Sequence, residues 1–167
     1  MRRSGASALA ALLLAASLLG ACNYGFAGGG LPANVRTLAV IPFDNDTPSP
    51  NLQQEITQLL TTQMQGRLGL RPASETKADA LVRGRITRYD TGIPMAYSAA
   101  TNSTSAQREL RITVDVEILD QISGRVIWTR KGLIGTGTYA ERSEADGRKE
   151  AVTKLVNDII AGAQSQW

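Results

Sequence analysis

Within Leu110 to Leu119, residues 110 to 118 alternate apolar and polar without a break. Leu110, Ile112, Val114, Val116 and Ile118 fall on one side, and Arg111, Thr113, Asp115 and Glu117 on the other. A strand sends successive side chains to opposite faces. Alternation this clean describes an antiparallel strand with one face buried and the other in water. The chain must therefore cover one face of a sheet and can leave the other wet.

Two amphipathic segments supply the cover. After the turn-forming run Asp44-Asn45-Asp46-Thr47-Pro48, Ser49 can cap a helix with Pro50 in its first position. Leu52, Ile56, Leu59, Leu60 and Met64 then form one apolar stripe, and Gly66 and Gly69 end it. Ser143-Glu144-Ala145-Asp146 suits the start of a second helix, whose Val152, Leu155, Val156, Ile159, Ile160 and Ala163 share a face. Further strands are expected at 35–43, where Pro42 halts pairing, at 80–89 and at 125–134, with a short extended piece at 68–71. Residues 91–107 read as a hairpin loop, and Asp120 to Gly124 as a turn. The order β-α-β-β-β-α predicts an α+β fold: a two-layer sandwich with a four-stranded, mostly antiparallel sheet and two helices on one face.

The first thirty residues follow another logic. Arg2 and Arg3 precede an apolar run from Ala8 to Leu19, and Leu19-Gly20-Ala21-Cys22 follows. A short charged region, a short apolar one and small residues make a secretory signal peptide. The run is shorter than the roughly 20 residues that a bilayer crossing needs. The tetrapeptide resembles the bacterial lipobox, which implies cleavage between Ala21 and Cys22 and a lipid on the Cys22 thiol. Residues 1–21 are then a signal peptide, 22–34 a lipidated glycine-rich tether, and 35–167 a single domain. Asn23 in place of aspartate favours the outer membrane.

Composition removes several function classes. The chain has no histidine and one cysteine, which excludes Ser-His-Asp and Cys-His catalysis and the usual zinc sites. Without Arg2 and Arg3, 16 of the 18 cations face 15 carboxylates. No charge excess calls for nucleic acid. Gly28-Gly29-Gly30 follows no strand and opens no helix, so it is no dinucleotide loop. No cofactor or metal is expected.

The chain resembles the lipopolysaccharide-assembly outer-membrane lipoprotein family (LptE-like). The likeness rests on Cys22-Asn23-Tyr24-Gly25-Phe26, on the stretch from Leu31 to Phe43, and on Asn45, Thr47, Leu52 and Glu55. It continues in Ala78-Asp79-Ala80-Leu81-Val82 with Gly84 and Ile86, and in Asp120 to Trp128. Asparagine stands at 23 where the family favours glycine. The resemblance implies a non-catalytic protein, lipid-anchored in the outer membrane and facing the periplasm. It would plug the large lipopolysaccharide-inserting β-barrel as a heterodimer, assist its assembly and bind lipopolysaccharide.

Arg83, Arg85, Arg111, Arg130 and Lys131 are the candidate lipopolysaccharide contacts, because guanidinium and ammonium groups hold phosphate well. The alternative pairs Arg83 and Arg85 across the sheet with Asp115 and Glu117. Trp128 and Tyr89 are core aromatics or contacts. Two other functions suit the same pattern: an auxiliary lipoprotein of a lipid transporter, or one of a secretion complex. Asp44 and Asp46 lie in a turn and are expected to serve it rather than catalysis.

Overall fold

The structure is a computed structural model and describes residues 31–32, 34–95, 107–140 and 142–165. The signal peptide, Cys22 and the tether up to residue 30 lie outside the described residues, as do residues 96–106 of the expected loop. The elements run β1 (Thr37–Val40), β2 (Asp44–Asn45), α1 (Asn51–Leu68), β3 (Arg71–Pro72), β4 (Ala80–Pro94), β5 (Gln107–Asp120), β6 (Arg125–Ala140) and α2 (Glu144–Gln164).

The two-layer α+β expectation holds, with a correction to the sheet. Among the described residues it has six strands rather than four, in the order β3-β1-β4-β5-β6, with β2 also paired to β4. It is mixed: β1 runs parallel to β3 and β4, and β2 parallel to β4, while β4, β5 and β6 form an antiparallel meander. The extra strands are two-residue pieces. Pro42 cannot donate to a ladder, so the first strand breaks there. It resumes as β2, with Asp44 and Asn45 opposite Arg85 and Ile86. The extended piece after α1 becomes β3, opposite Thr37 and Leu38.

Both helices cover one face. Leu52, Ile56, Leu60 and Met64 of α1 are fully buried, and so are Leu155, Val156, Ile159 and Ile160 of α2. They join Val82, Ile86, Leu110, Ile112, Val114, Val116 and Ile118 in one core. Each such side chain contributes about 1.5–3 kcal/mol on burial. Trp128 belongs to this core. Across the sheet, a small second cluster of Ala39, Ala78 and Leu81 sits at the start of β1 and β4.

The second helix begins as expected, with Ser143 at its N-cap, but neither helix has a side-chain cap. Ser49 and Ser143 make no side-chain cap bond. Instead Asn45 organises the first turn: its Oδ1 accepts from the Thr47 N–H (3.0 Å) and hydroxyl (2.7 Å), and its Nδ2 donates to the Ser49 carbonyl (2.8 Å).

Candidate functional site

The face of the sheet opposite the helices is built by the odd-numbered residues of β5 and their partners. Arg83 stands opposite Glu117, and Arg85 opposite Asp115. The Arg83 guanidinium donates through Nε (3.0 Å) and Nη2 (2.6 Å) to Glu117 Oε1. Arg85 Nε lies 3.0 Å from Asp46 Oδ2. Asp115 Oδ1 accepts from the Gly132 N–H at 2.7 Å, where Gly132, with φ of 64°, lets β6 bulge. Asp44, Arg83, Arg85, Asp115, Glu117 and Lys131 rim a hollow of about 280 Å³ floored by Gly84 and Val116, with Asp46 beside it on Arg85. Three cations, Arg83, Arg85 and Lys131, meet four carboxylates there: Asp44, Asp46, Asp115 and Glu117.

The other two candidates stand apart. Arg111 lies on the same face, six residues from Glu117 and so roughly 20 Å along β5, where its Nε donates to Glu109. Arg130 is opposite Val116. Val116 is buried under the helices, so Arg130 projects at the free edge of β6 on the helix side. The structure thus groups Arg83, Arg85 and Lys131 and leaves Arg111 and Arg130 elsewhere.

One basic residue was missed. The ladder slips between Ile86 and Arg88, so Arg88 faces outward opposite Thr113. Strict alternation would have turned it inward. The one sequence signal was Tyr89, whose apolar ring needs the core that the slip gives it.

Two carboxylates at the opposite end of β4 and β5 are structural. Asp79 Oδ2 accepts from the backbone N–H of Arg36 (2.9 Å) and Thr37 (2.8 Å), tying β1 to β4. Those bonds, the Arg36 N–H foremost, hold its carboxyl below the usual carboxylate range. Asp120 accepts from the Ser123 hydroxyl at 2.7 Å and from the N–H of Ile122 (2.9 Å) and Ser123 (3.2 Å). It too is held low, chiefly by the Ser123 hydroxyl. Asp79 thus ties two strands together, and Asp120 fixes the turn that follows β5. The Tyr89 hydroxyl donates to Glu144 Oε1 at 2.8 Å.

Among the described residues no group of three or more carboxylates, histidines or cysteines is placed to hold a metal. No described helix is long and apolar enough to cross a membrane.

Comparison with known proteins gives one family. The model of the lipopolysaccharide-assembly family LptE matches residues 35–161. No curated protein matches. Among solved structures, the Chlamydia trachomatis protein CT253 is similar at 11% identity and a TM-score of 0.52, with 78% of this chain and 96% of that one covered. The PelC dodecamer from Paraburkholderia phytofirmans shares 16% identity at 0.50, covering 81% and 92%. A neuraminyllactose-binding hemagglutinin homolog from Helicobacter pylori shares 16% at 0.50, covering 83% and 88%. At such identities these three show a shared fold.

Proposed function

Because the chain belongs to the lipopolysaccharide-assembly family LptE, we propose that it is a non-catalytic lipoprotein of the outer membrane. The signal peptide 1–21 is cut between Ala21 and Cys22, Cys22 carries the lipid, and the domain faces the periplasm. There it plugs the lipopolysaccharide-inserting β-barrel as a heterodimer, assists its assembly and helps to deliver lipopolysaccharide to the surface.

The observation that carries this reading is the extent of the family match. It runs from Val35, the first buried residue, into the last turn of α2, and so takes in the whole folded unit rather than one motif. The physics is compatible. The wet sheet face suits the polar interior of a wide barrel. The ion pairs of Arg83 and Arg85 must open before phosphate can bind, and the carboxylates beside them work against it, but the pairs are weak. Both guanidinium groups are about half exposed, and exposed pairs contribute only about 0–1 kcal/mol. A lipid A phosphate offers arginine a stronger, bidentate partner.

The test is a pull-down of the tagged chain from membranes in mild detergent, with mass spectrometry of what accompanies it. A large outer-membrane β-barrel in equal amount, together with loss of surface lipopolysaccharide on depletion, supports the plug. Recovery of inner-membrane transporter subunits without a barrel overturns it in favour of the auxiliary role. Cys22→Ser should release the protein from the membrane fraction.

A further inference from the structure

One end of the molecule gathers features that lie outside the hollow described above. At the tip of the β5–β6 hairpin, Ile122 is 64% exposed, and beside it Val126 is 49% exposed. A soluble turn gains nothing from isoleucine at its apex. The turn itself is rigid: Asp120 takes the N–H groups of Ile122 and Ser123. Gly124, with φ of 69°, donates its N–H to the Asp120 carbonyl at 2.9 Å. Ile122 is therefore held outward on a fixed support.

The exposed charge at this end is mostly positive. Arg36, Arg71, Lys77 and Arg125 are all exposed. They sit at or next to the starts of β1, β3, β4 and β6, which the sheet aligns at this end. The nearby carboxylates of Asp79 and Asp120 are turned onto backbone N–H groups and Ser123. Only Glu75 of the 73–79 turn is left as an exposed anion.

The chain also enters the domain here. Pro32 and Asn34 line a crevice of about 420 Å³ together with Asp120, Ser123, Arg125 and Val126, and Asn34 Nδ2 lies 3.4 Å from Asp120 Oδ2. Nine residue steps separate Cys22 from Leu31. Whatever their path, they span at most roughly 30 Å.

We propose that this end is a membrane contact: Ile122 and Val126 seat at the headgroup level of the anionic phospholipid leaflet that holds the Cys22 lipid, with Arg125 and Arg36 on its phosphates. The contact rests on the lipid anchor proposed above. It adds an apolar wedge and cations to a single attachment, and stable anchoring generally needs such a second signal. It also orients the domain, with the β5–β6 tip toward lipid and the end that bears Met95 and Gln107 away from it.

The test uses the full chain, purified with its lipid and reconstituted into vesicles of phosphatidylethanolamine and phosphatidylglycerol. Ile122→Cys carries an environment-sensitive dye; an acylated Cys22 offers no thiol to it. The emission should be blue-shifted and quenched by lipids brominated on their chains. The same dye at Ile134→Cys, an exposed apolar position midway along the outer face, should show neither effect. Arg125→Glu should weaken the quenching at 122. If the protein floats with the vesicles while the dye at 122 reports water, the contact is overturned and the anchor stands. Equal quenching at 122 and 134 would place the sheet face on lipid and also overturn it. A chain that takes dye at Cys22 and does not float removes the anchor, and the contact with it.

Discussion

Gly137 on β6 and Gly147 on α2 meet backbone to backbone. A Cβ on Gly137 would overlap the Gly147 carbonyl oxygen, and one on Gly147 would lie 2.7 Å from Cδ1 of Tyr139. Gly135 is in the same position against the Ala151 carbonyl. Bare backbone on both sides lets α2 lie on β6 closer than side chains allow. Gly137→Ala should therefore cost about 1–3 kcal/mol or more, as overpacking does. Gly66 in α1 has nothing within 4 Å of such a Cβ, so Gly66→Ala should stabilise by about 0.5–1 kcal/mol through helix propensity. Urea denaturation of the domain carrying Cys22→Ser reads both. Equal effects at the two sites would show that α2 is not seated on β6.

The same glycines explain what the sequence hid. The stripes Leu52–Met64 and Val152–Ala163 and the alternation of β5 appear in the structure, with Leu59 alone of the stripe residues only half-buried, because burial of one face imposes a period that sequence displays directly. The last strand is expected over 125–134; Gly135 and Gly137, which follow, lack side chains and carry no strand signal of their own. It runs on to Ala140 because those positions need to be bare beneath α2. That requirement comes from a helix later in the chain, which no local window contains. The two-residue strand β2 was hidden for a related reason: it exists only by pairing with β4; the extended piece expected at 68–71 does appear, shifted to Arg71–Pro72 as β3.

Acid should loosen the end of the molecule that Asp79 and Asp120 tie together. Both carboxyls are held below their ordinary value of 3.8 by hydrogen bonds present only in the folded chain. The unfolded chain then binds protons more readily, so these groups contribute stability above about pH 3.8, and it is lost as pH falls through their lowered values. Asp120→Asn should reduce stability at neutral pH and flatten the acid limb of a plot of urea midpoint against pH. An unchanged acid limb in a variant lacking both carboxylates would show that other groups govern acid unfolding.

Tyr89 makes the opposite prediction in alkali. Burial, then its hydrogen bond to Glu144, pushes its hydroxyl up to about 12 from 10.0. A raised value means that the neutral phenol favours the fold. That contribution is fully present below pH 10 and disappears as pH rises through about 12. Ultraviolet titration of the native domain should show a phase near pH 12 that Tyr89→Phe removes. Tyr89→Phe should also cost about 1 kcal/mol at neutral pH for the lost hydrogen bond.

The candidate lipid-binding residues were legible as residue types but not as a group. Arg83, Arg85 and Lys131 converge on one hollow, whereas Arg130 was displaced by a β6 bulge that puts it opposite Val116. If the hollow holds lipid A phosphate, position rather than charge decides the effect. Arg83→Gln with Arg85→Gln and Lys131→Gln should weaken lipopolysaccharide binding about tenfold or more, which corresponds to roughly 1.4 kcal/mol. Arg130→Gln should leave it within about twofold, near the noise of surface substitutions. Stability should hardly move in either, since exposed pairs contribute little. The contrast separates a site from general attraction: equal losses from the triple and the single variant would mean that the protein attracts the lipid by diffuse charge. An unaffected triple variant would place the lipid contact elsewhere, with Arg88 and Arg111 farther along the same face the next to replace.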